Sequence, residues 1–495
     1  MKHLERRVRL RSRQRGINRK RNELYTAGMA AVLAQLNAFG NTSVLLNVDE
    51  KNAPNDGVTL FKKPYFKHDN FASQPIRVDF NRSDCFLSEK TQFRIPTLPR
   101  HGDLLLNTYL VLDMPLILSD ADKKFRWVQD LGEAIIDSYQ ISVGGSLVDK
   151  QDGQYLHLCN QLKIPRDKRR LYDEMTGNVP TMFAPSDPSL ANVESTLYVG
   201  DKYPASSDST SPSIKSTRLY VPLNFWFSRA PWNAFPLVAS KYSAVEIVVT
   251  LRPLNTVYLL WYTPNGASAP GFYPPNSTDR SHDLANFVSV DGDRRKVVIA
   301  PGLYNLNVHL NCKYVFLDSL KRTKFAKSEF EYLVDQVNRT TWKDLGASAL
   351  IDLHLRNPVK EVIFVLKRTD SEQLGRPFDF SDEGDDILQE AQLLFAGNPR
   401  FDSVDATYFD KVQHYECHPE SSGKPGVYVY SFALYPDDDG QPSGSVNMSA
   451  IPNVQLALSL RKPRDPTYKY QIDVYAVNWN WVRVMSGIAA LMFAT

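Results

Sequence analysis

The sequence predicts an all-β protein of two sandwich-like units in tandem, with few and short helices. Three observations carry that expectation. The first is strict alternation: Leu219, Val221, Leu223, Phe225 and Phe227 fall on one face of an extended chain, and Tyr220, Pro222, Asn224, Trp226 and Ser228 on the other. Val245, Ile247, Val249 and Leu251 alternate in phase, so these strands read as a sheet covered on both sides. The second is a series of short apolar runs between turn signals, at 93–96, 104–114 and 134–143, the last followed by Gly144-Gly145 and Leu147-Val148. The third is an order of strands, long excursion and strand pair that occurs twice, without a residue-by-residue repeat. Two all-β units of about 200 residues each fit a chain of 495 residues better than three ordinary domains.

Composition narrows the class. A hydrophobic content of 43% with 23% charge belongs to a soluble globular chain, not to a disordered or membrane-embedded one. No run reaches the roughly 18–20 apolar residues of a bilayer span. The apolar tail 487–495 is too short and reads as a buried terminal segment. Cys85, Cys159, Cys312 and Cys417 are dispersed, which argues against a disulfide framework and for assembly in a reducing compartment. The Asn-x-Ser/Thr triplets at Asn41, Asn81, Asn276, Asn338 and Asn447 read as chance occurrences.

The net charge of +3 hides an asymmetry. Of the 58 Lys and Arg, ten lie in 1–21 (Lys2, Arg6, Arg7, Arg9, Arg11, Arg13, Arg15, Arg19, Lys20 and Arg21) against one of the 55 acids, Glu5. The arm therefore carries +9 and the remainder −6. Almost without apolar residues, the arm does not fold alone. A short amphipathic helix is expected over 22–39, with Asn22 as N-cap, Met29, Val32, Leu33 and Leu36 on one face, and Gly40 at the exit. A targeting sequence is disfavoured because Gln35 and Asn37 interrupt the apolar part.

From Gly57 the chain is β-rich. The stretch 165–217, rich in Pro, Ser and Asp, reads as a long functional loop. A second irregular piece, 253–299, is taken as the linker, placing the units at 57–252 and 300–495. The pattern restarts where Asn305, Asn307, His309 and Asn311 alternate with Leu306, Val308, Leu310 and Cys312. A helix is expected next, from a capping box of Ser328 and Glu331 and a stripe of Phe330, Leu333, Val334 and Val337. Strands follow at 350–355, 359–366, 427–434, 454–460 and 468–477, interrupted by an excursion over 369–426 with the acidic patch 382–386.

Several strings carry a resemblance. PLNFWFSRAPWNAFPL (222–237) resembles a signature of the major capsid proteins of nucleocytoplasmic large DNA viruses, nearest in character to the algal-virus and iridovirus-like members. TLFKKPYFKHDNFA (59–72), NPVKEVIFVLKR (357–368), YSFALYP with SGSVNMS (430–449) and VYAVNWNWVRVMSGIAALMF (474–493) resemble further segments, collinear and in the right order. The resemblance covers 57–495 and leaves out the arm. It implies two tandem eight-stranded jelly rolls, homotrimeric pseudo-hexagonal capsomers, an icosahedral shell in the virion, and contacts with neighbouring capsomers and minor capsid proteins. It also implies an internal lipid layer, for which each Lys or Arg of the arm is worth about 1 kcal/mol at an anionic surface. Sequence-specific nucleic-acid binding is not expected. Both long loops are expected on the outer face and 22–39 on the inner.

No catalytic or cofactor motif is present. Phosphate-loop and H-E-x-x-H patterns are missing, and GASAP (266–270) and GASAL (346–350) each miss a nucleophile elbow by their last residue. His414-Tyr-Glu-Cys-His418 has zinc-capable side chains but reads as loop, and 437–440 reads as a hairpin turn with Pro442 where a calcium loop needs glycine. His309 and His354 stand singly, as polar-face residues, not as the paired ligands of a cupin. The remaining functional element is aromatic: Phe225, Trp226, Phe227 and Trp232 serve either core or subunit contact. The competing class is a carbohydrate-binding β-sandwich, which would use exposed aromatics.

Overall fold

The computed structural model describes residues 70–119, 124–185, 212–264, 270–288, 303–438 and 440–493. The basic arm, the 22–39 segment, most of the 59–72 string and the stretch 186–211 lie outside these described residues.

Eight principal strands build the first sandwich: β1 (Phe71–Asp79), β2 (Thr91–Ile95), β3 (Leu104–Met114), β4 (Ile136–Val143), β5 (Ser146–Asp152), β6 (Thr217–Pro222), β7 (Val245–Leu251) and β8 (His309–Leu317). They form two antiparallel sheets, ordered β1-β8-β3-β6 and β2-β7-β4-β5. Period-2 burial marks the edge strand β2, where Thr91, Phe93 and Ile95 point inward and Gln92 and Arg94 outward. The second sandwich repeats the plan with β9 (Phe330–Leu345), β10 (Ser348–Leu353), β11 (Pro358–Arg368), β12 (Leu388–Phe395), β13 (Asn398–Pro399), β14 (Val427–Ser431), β15 (Val454–Leu460) and β16 (Tyr470–Met485). Its sheets are β9-β16-β11-β14 and β10-β15-β12-β13, the same wiring. Eight strands in this crossed order, met twice, are two jelly rolls.

One sheet serves both halves. On β11, Val362, Phe364 and Leu366 point into the second core, while Ile363 and Val365 join the apolar cluster of the first sandwich. On β16, Val474 and Ala476 face one way and Tyr475 and Val477 the other; on β14, Tyr428 opposes Val427 and Val429. This two-sided burial is why VIFVL (362–366) reads as a continuous apolar run and not an alternating one. Burying Ile363, Val365, Val427, Val429, Tyr475 and Val477 against the first sandwich is worth on the order of 10 kcal/mol.

Several expectations need correction. The boundary does not fall at 253–299: β8 pairs with β1 from Phe71↔Leu317 to Asp79↔His309 and with β3, so the first sandwich closes only at Leu317. The expected 253–299 linker itself contains the strands Tyr258–Tyr262 and Gly271–Tyr273. The helix read from Ser328 and Glu331 is strand β9, in register with β16 from Phe330↔Val484 to Trp342↔Ile472. Its 3.6-residue stripe was coincidental, and a long partner strand decided the outcome. The helix lies just before it, over Ser319–Lys327, capped by Asp318, whose side chain accepts the Lys321 N–H at 2.8 Å.

The excursions are also more ordered than expected. Helices α1 (Gly153–Lys163) and α2 (Arg166–Thr176) precede the undescribed 186–211, and β12 with the helical turns Tyr408–Val412 and Gln413–Cys417 occupies the second excursion. The alternating stretch from Leu219 is strand only to Pro222; Trp226–Arg229 is one helical turn. The tail is not buried: Ile488–Leu491 pairs with β16, but Ile488, Met492 and Phe493 are exposed. His309 is buried, its Nδ1 2.7 Å from the Asn307 carbonyl, and His354 is an exposed residue beyond the end of β10.

Candidate functional site: the seam and the aromatic rim

Four charge clusters cross the apolar seam. In the first, Asp335 on β9 accepts Lys360 of β11 at 2.7 Å and pairs with Arg229 from the first sandwich. Burial pushes the Asp335 carboxyl up, but Lys360 and Arg229 outweigh it and hold it below the usual carboxylate range. Lys360 also donates to the Pro436 carbonyl at 2.9 Å and lies 4.5 Å over the Trp479 ring. One buried ammonium thus fixes the turn 431–438 to the sheet.

In the second cluster, Lys163 at the end of α1 lies 3.2 Å from Asp437 and 3.6 Å from Glu361 of β11. His418 bridges the same two carboxylates, 2.7 Å from Asp437 and 3.2 Å from Glu361. Burial lowers its pKa, yet the two carboxylates raise it to about 9, so it is an imidazolium at neutral pH. The expected hairpin residue Asp437 and the expected loop residue His418 are therefore seam residues.

In the third, Asp152 caps α1 by accepting the Tyr155 N–H at 2.6 Å and also receives Arg339 of β9 at 2.6 Å. Arg339 reaches on to Asp473 of β16 at 2.7 Å. Gln154 donates to Asp473 at 3.0 Å and accepts from Lys367 at 3.1 Å. Gly153 is required for this seating, because a β-carbon there would stand 2.3 Å from the Glu133 carbonyl oxygen.

The fourth joins Glu133, His157, Asn160 and Tyr172 of the first sandwich to Lys424 of the second. Lys424 donates to His157 Nε2 at 2.9 Å, leaving Nδ1 to donate to Glu133, and Phe378 stacks on the ring at 4.3 Å. Asp130, Glu133 and His157 place donor atoms within 4.8 Å of one another, a spacing that suits a cation. The Lys424 ammonium already supplies that charge, and Glu133 also accepts from Asn160 and Tyr172, so the group reads as a salt-bridge network and not a metal centre.

The aromatic element divides. Phe225, Trp226 and Phe227 are buried: Phe225 meets Tyr139 edge-on at 5.3 Å and stacks with Phe227 at 5.4 Å. Trp232 is 67% exposed and 3.8 Å from where a β-carbon of Gly440 would stand. Leu434 and Tyr435, 70% and 65% exposed, lie on the same loop of the second sandwich. The rim thus draws on both halves. The arm residues Arg6 to Arg21 lie outside the described residues.

Sequence reasoning missed the clusters because their members are far apart in the chain. One signal was available: Lys360-Glu361 and Asp473 are charges inside otherwise apolar strands, and such charges are buried only when paired.

Two like eight-stranded sandwiches fused through a shared sheet define a double jelly-roll shell protein. Comparison with known proteins agrees. The family described as "Major capsid protein N-terminus" matches 59–318, and "Large eukaryotic DNA virus major capsid protein" matches 321–490. The chain belongs to the major capsid proteins of large eukaryotic DNA viruses, and its place is the outer capsid shell of the virion. It is 28% identical to the major capsid protein of Phaeocystis pouchetii virus, over 94% of this chain and 100% of that one. It is 26% identical to that of Paramecium bursaria Chlorella virus 1, with the same coverage. Among solved structures, the PBCV-1 capsid protein superposes with a TM-score of 0.63 at 22% identity, covering 88% of this chain and 100% of that one. The Faustovirus major capsid protein superposes at 0.59 and 12% identity, covering 86% and 93%. The carbohydrate-binding alternative finds no support in these matches. The two family matches meet at 318–321, where β8 ends and the Ser319–Lys327 helix begins.

Proposed function

We propose that three copies of this chain associate around a threefold axis into a near-hexagonal capsomer, and that the protein acts by assembly and not by turnover. The observation that carries this reading is the repeated strand order. Two sandwiches of one wiring give each chain two similar lateral faces, so three chains present six. The buried seam keeps the two faces at one fixed angle, which a tile must do to match its neighbours. The exposed rim of Trp232, Leu434 and Tyr435 is the aromatic kind of surface that a subunit contact uses.

The arm of Arg6, Arg7, Arg9, Arg11, Arg13, Arg15, Arg19, Lys20 and Arg21 faces an anionic partner, either an internal membrane or a minor capsid protein, by charge alone. Light scattering of the purified chain tests the trimer: a mass of about 169 kDa, three times 56.2 kDa, is expected, and a monomer at micromolar concentration refutes it. Deletion of 1–21 tests the arm, since unchanged shell assembly and membrane attachment would remove its role.

A further inference from the structure

The geometry points to an oxyanion-binding cavity beside the third seam cluster, shaped for a phosphate-type ligand. The cavity is about 500 Å³ and is lined by nine residues, of which Arg339, Lys343, Lys367 and Arg368 are cationic and only Glu372 is acidic. Three cations are already engaged: Arg339 by Asp152 and Asp473, Arg368 by Asp370 at 2.7 Å, and Lys367 by Gln154 and by Glu372 of the lining itself. That bracing fixes their positions and spends part of their charge.

Two groups remain unspent. Lys343 is exposed and makes no ion pair among the described residues. Ser371 is only 4% exposed and lines the same cavity, yet its hydroxyl has no hydrogen-bond partner among the described residues. A buried hydroxyl left unpaired is uncommon and costly. A tetrahedral anion takes the Lys343 ammonium together with the Arg339, Lys367 and Arg368 groups of the lining, and rotation of the Ser371 side chain brings its hydroxyl to the same ligand. The volume exceeds one phosphate and accommodates a small polyphosphorylated molecule. Because Asp152, Gln154 and Arg252 of the first sandwich brace residues of this site, with Arg252 3.8 Å from Glu372, the ligand binds only the docked arrangement and stabilises it by linkage. Nothing in this site depends on the trimer.

Titration calorimetry on the full-length protein with inorganic phosphate and with inositol hexakisphosphate, at constant ionic strength, tests the assignment. Saturable binding of one ligand per chain is expected, weakened at least tenfold in Lys343→Glu and several-fold in Ser371→Ala. Lys343 is exposed, so its variant is expected to keep the wild-type circular dichroism, and a loss of binding with that spectrum unchanged is not a loss of fold. Flotation with vesicles carrying phosphatidylinositol bisphosphate separates the sources: retention that Lys343→Glu abolishes assigns a lipid headgroup, and binding of the free anions alone assigns a soluble one. Absence of saturable binding to either anion, or equal binding by both variants, overturns the site.

Discussion

Replacing Asp335 with alanine is the sharpest test of the seam. Asp335 is a counter-charge of two cations, the fully buried Lys360 and the largely buried Arg229. Removing one partner of a buried pair costs about 3–5 kcal/mol, because the remaining charge loses its counter-charge, and Asp335 serves two cations at once, which places this variant at the upper end. For units of 150–250 residues each kcal/mol lowers Tm by about 2–4 °C, so a fall of roughly 10 °C or more is expected by differential scanning calorimetry. The exposed Lys90–Asp137 pair is the control: Lys90→Ala changes stability by less than about 1 kcal/mol. A second variant, Asp335→Leu with Lys360→Met, removes one of the cations and recovers much of the loss, since apolar side chains of similar volume replace such pairs well. If Asp335→Ala unfolds within about 2 °C of the wild type, the seam clusters do not hold the two sandwiches together, and the apolar contacts alone must do so.

His418 has a folded pKa of about 9 against an ordinary 6.5, so its contribution is complete below pH 6.5 and is lost as pH rises through 9; His418→Gln should flatten the decline of Tm between pH 7 and 10. Burial raises the Asp149 carboxyl to about 7, so its ionisation destabilises the fold as pH rises from 4 through 7. Asp149→Asn is accordingly expected to raise stability at pH 8 by roughly 1–3 kcal/mol and to change little at pH 4, as read by urea unfolding at both values. Trp232→Glu should leave the Tm of the isolated chain within about 2 °C while weakening capsomer formation in light scattering, whereas Trp226→Ala costs about 3–5 kcal/mol of stability. Gly153→Ala forces a β-carbon against the Glu133 and Ile136 carbonyl oxygens, and a loss of about 3 kcal/mol or more is expected in the same unfolding assay.

Local pattern carried much of this fold. VQLALSL, now β15, buries every second residue as its alternation predicts, and Val245, Ile247, Val249 and Leu251 behave likewise in β7. What was illegible is non-local. Nothing near His309 indicates that its strand returns to pair with Phe71–Asp79, more than 200 residues earlier, so the boundary was set too soon. The stripe of Phe330, Leu333, Val334 and Val337 fits a helix as well as a strand, and only the 16-residue partner Tyr470–Met485 decides between them. Phe225, Trp226, Phe227 and Trp232 are alike as letters, and their division into core and surface follows from the helical turn Trp226–Arg229, which with its N-cap Phe225 keeps the first three inward and leaves the fourth on the 3-10 turn Pro231–Asn233.

The wall shared by the two cores also bears on synthesis. By the time Leu317 has left the ribosome, every strand of the first sandwich exists, yet the side chains that cover its outer apolar face arrive only with 330–491. For the minute or less that this takes at about 5–20 residues per second, the nascent half displays a sticky surface in a crowded infected cell. Shielding of that face until the last long strand emerges would therefore raise the yield of shell subunits.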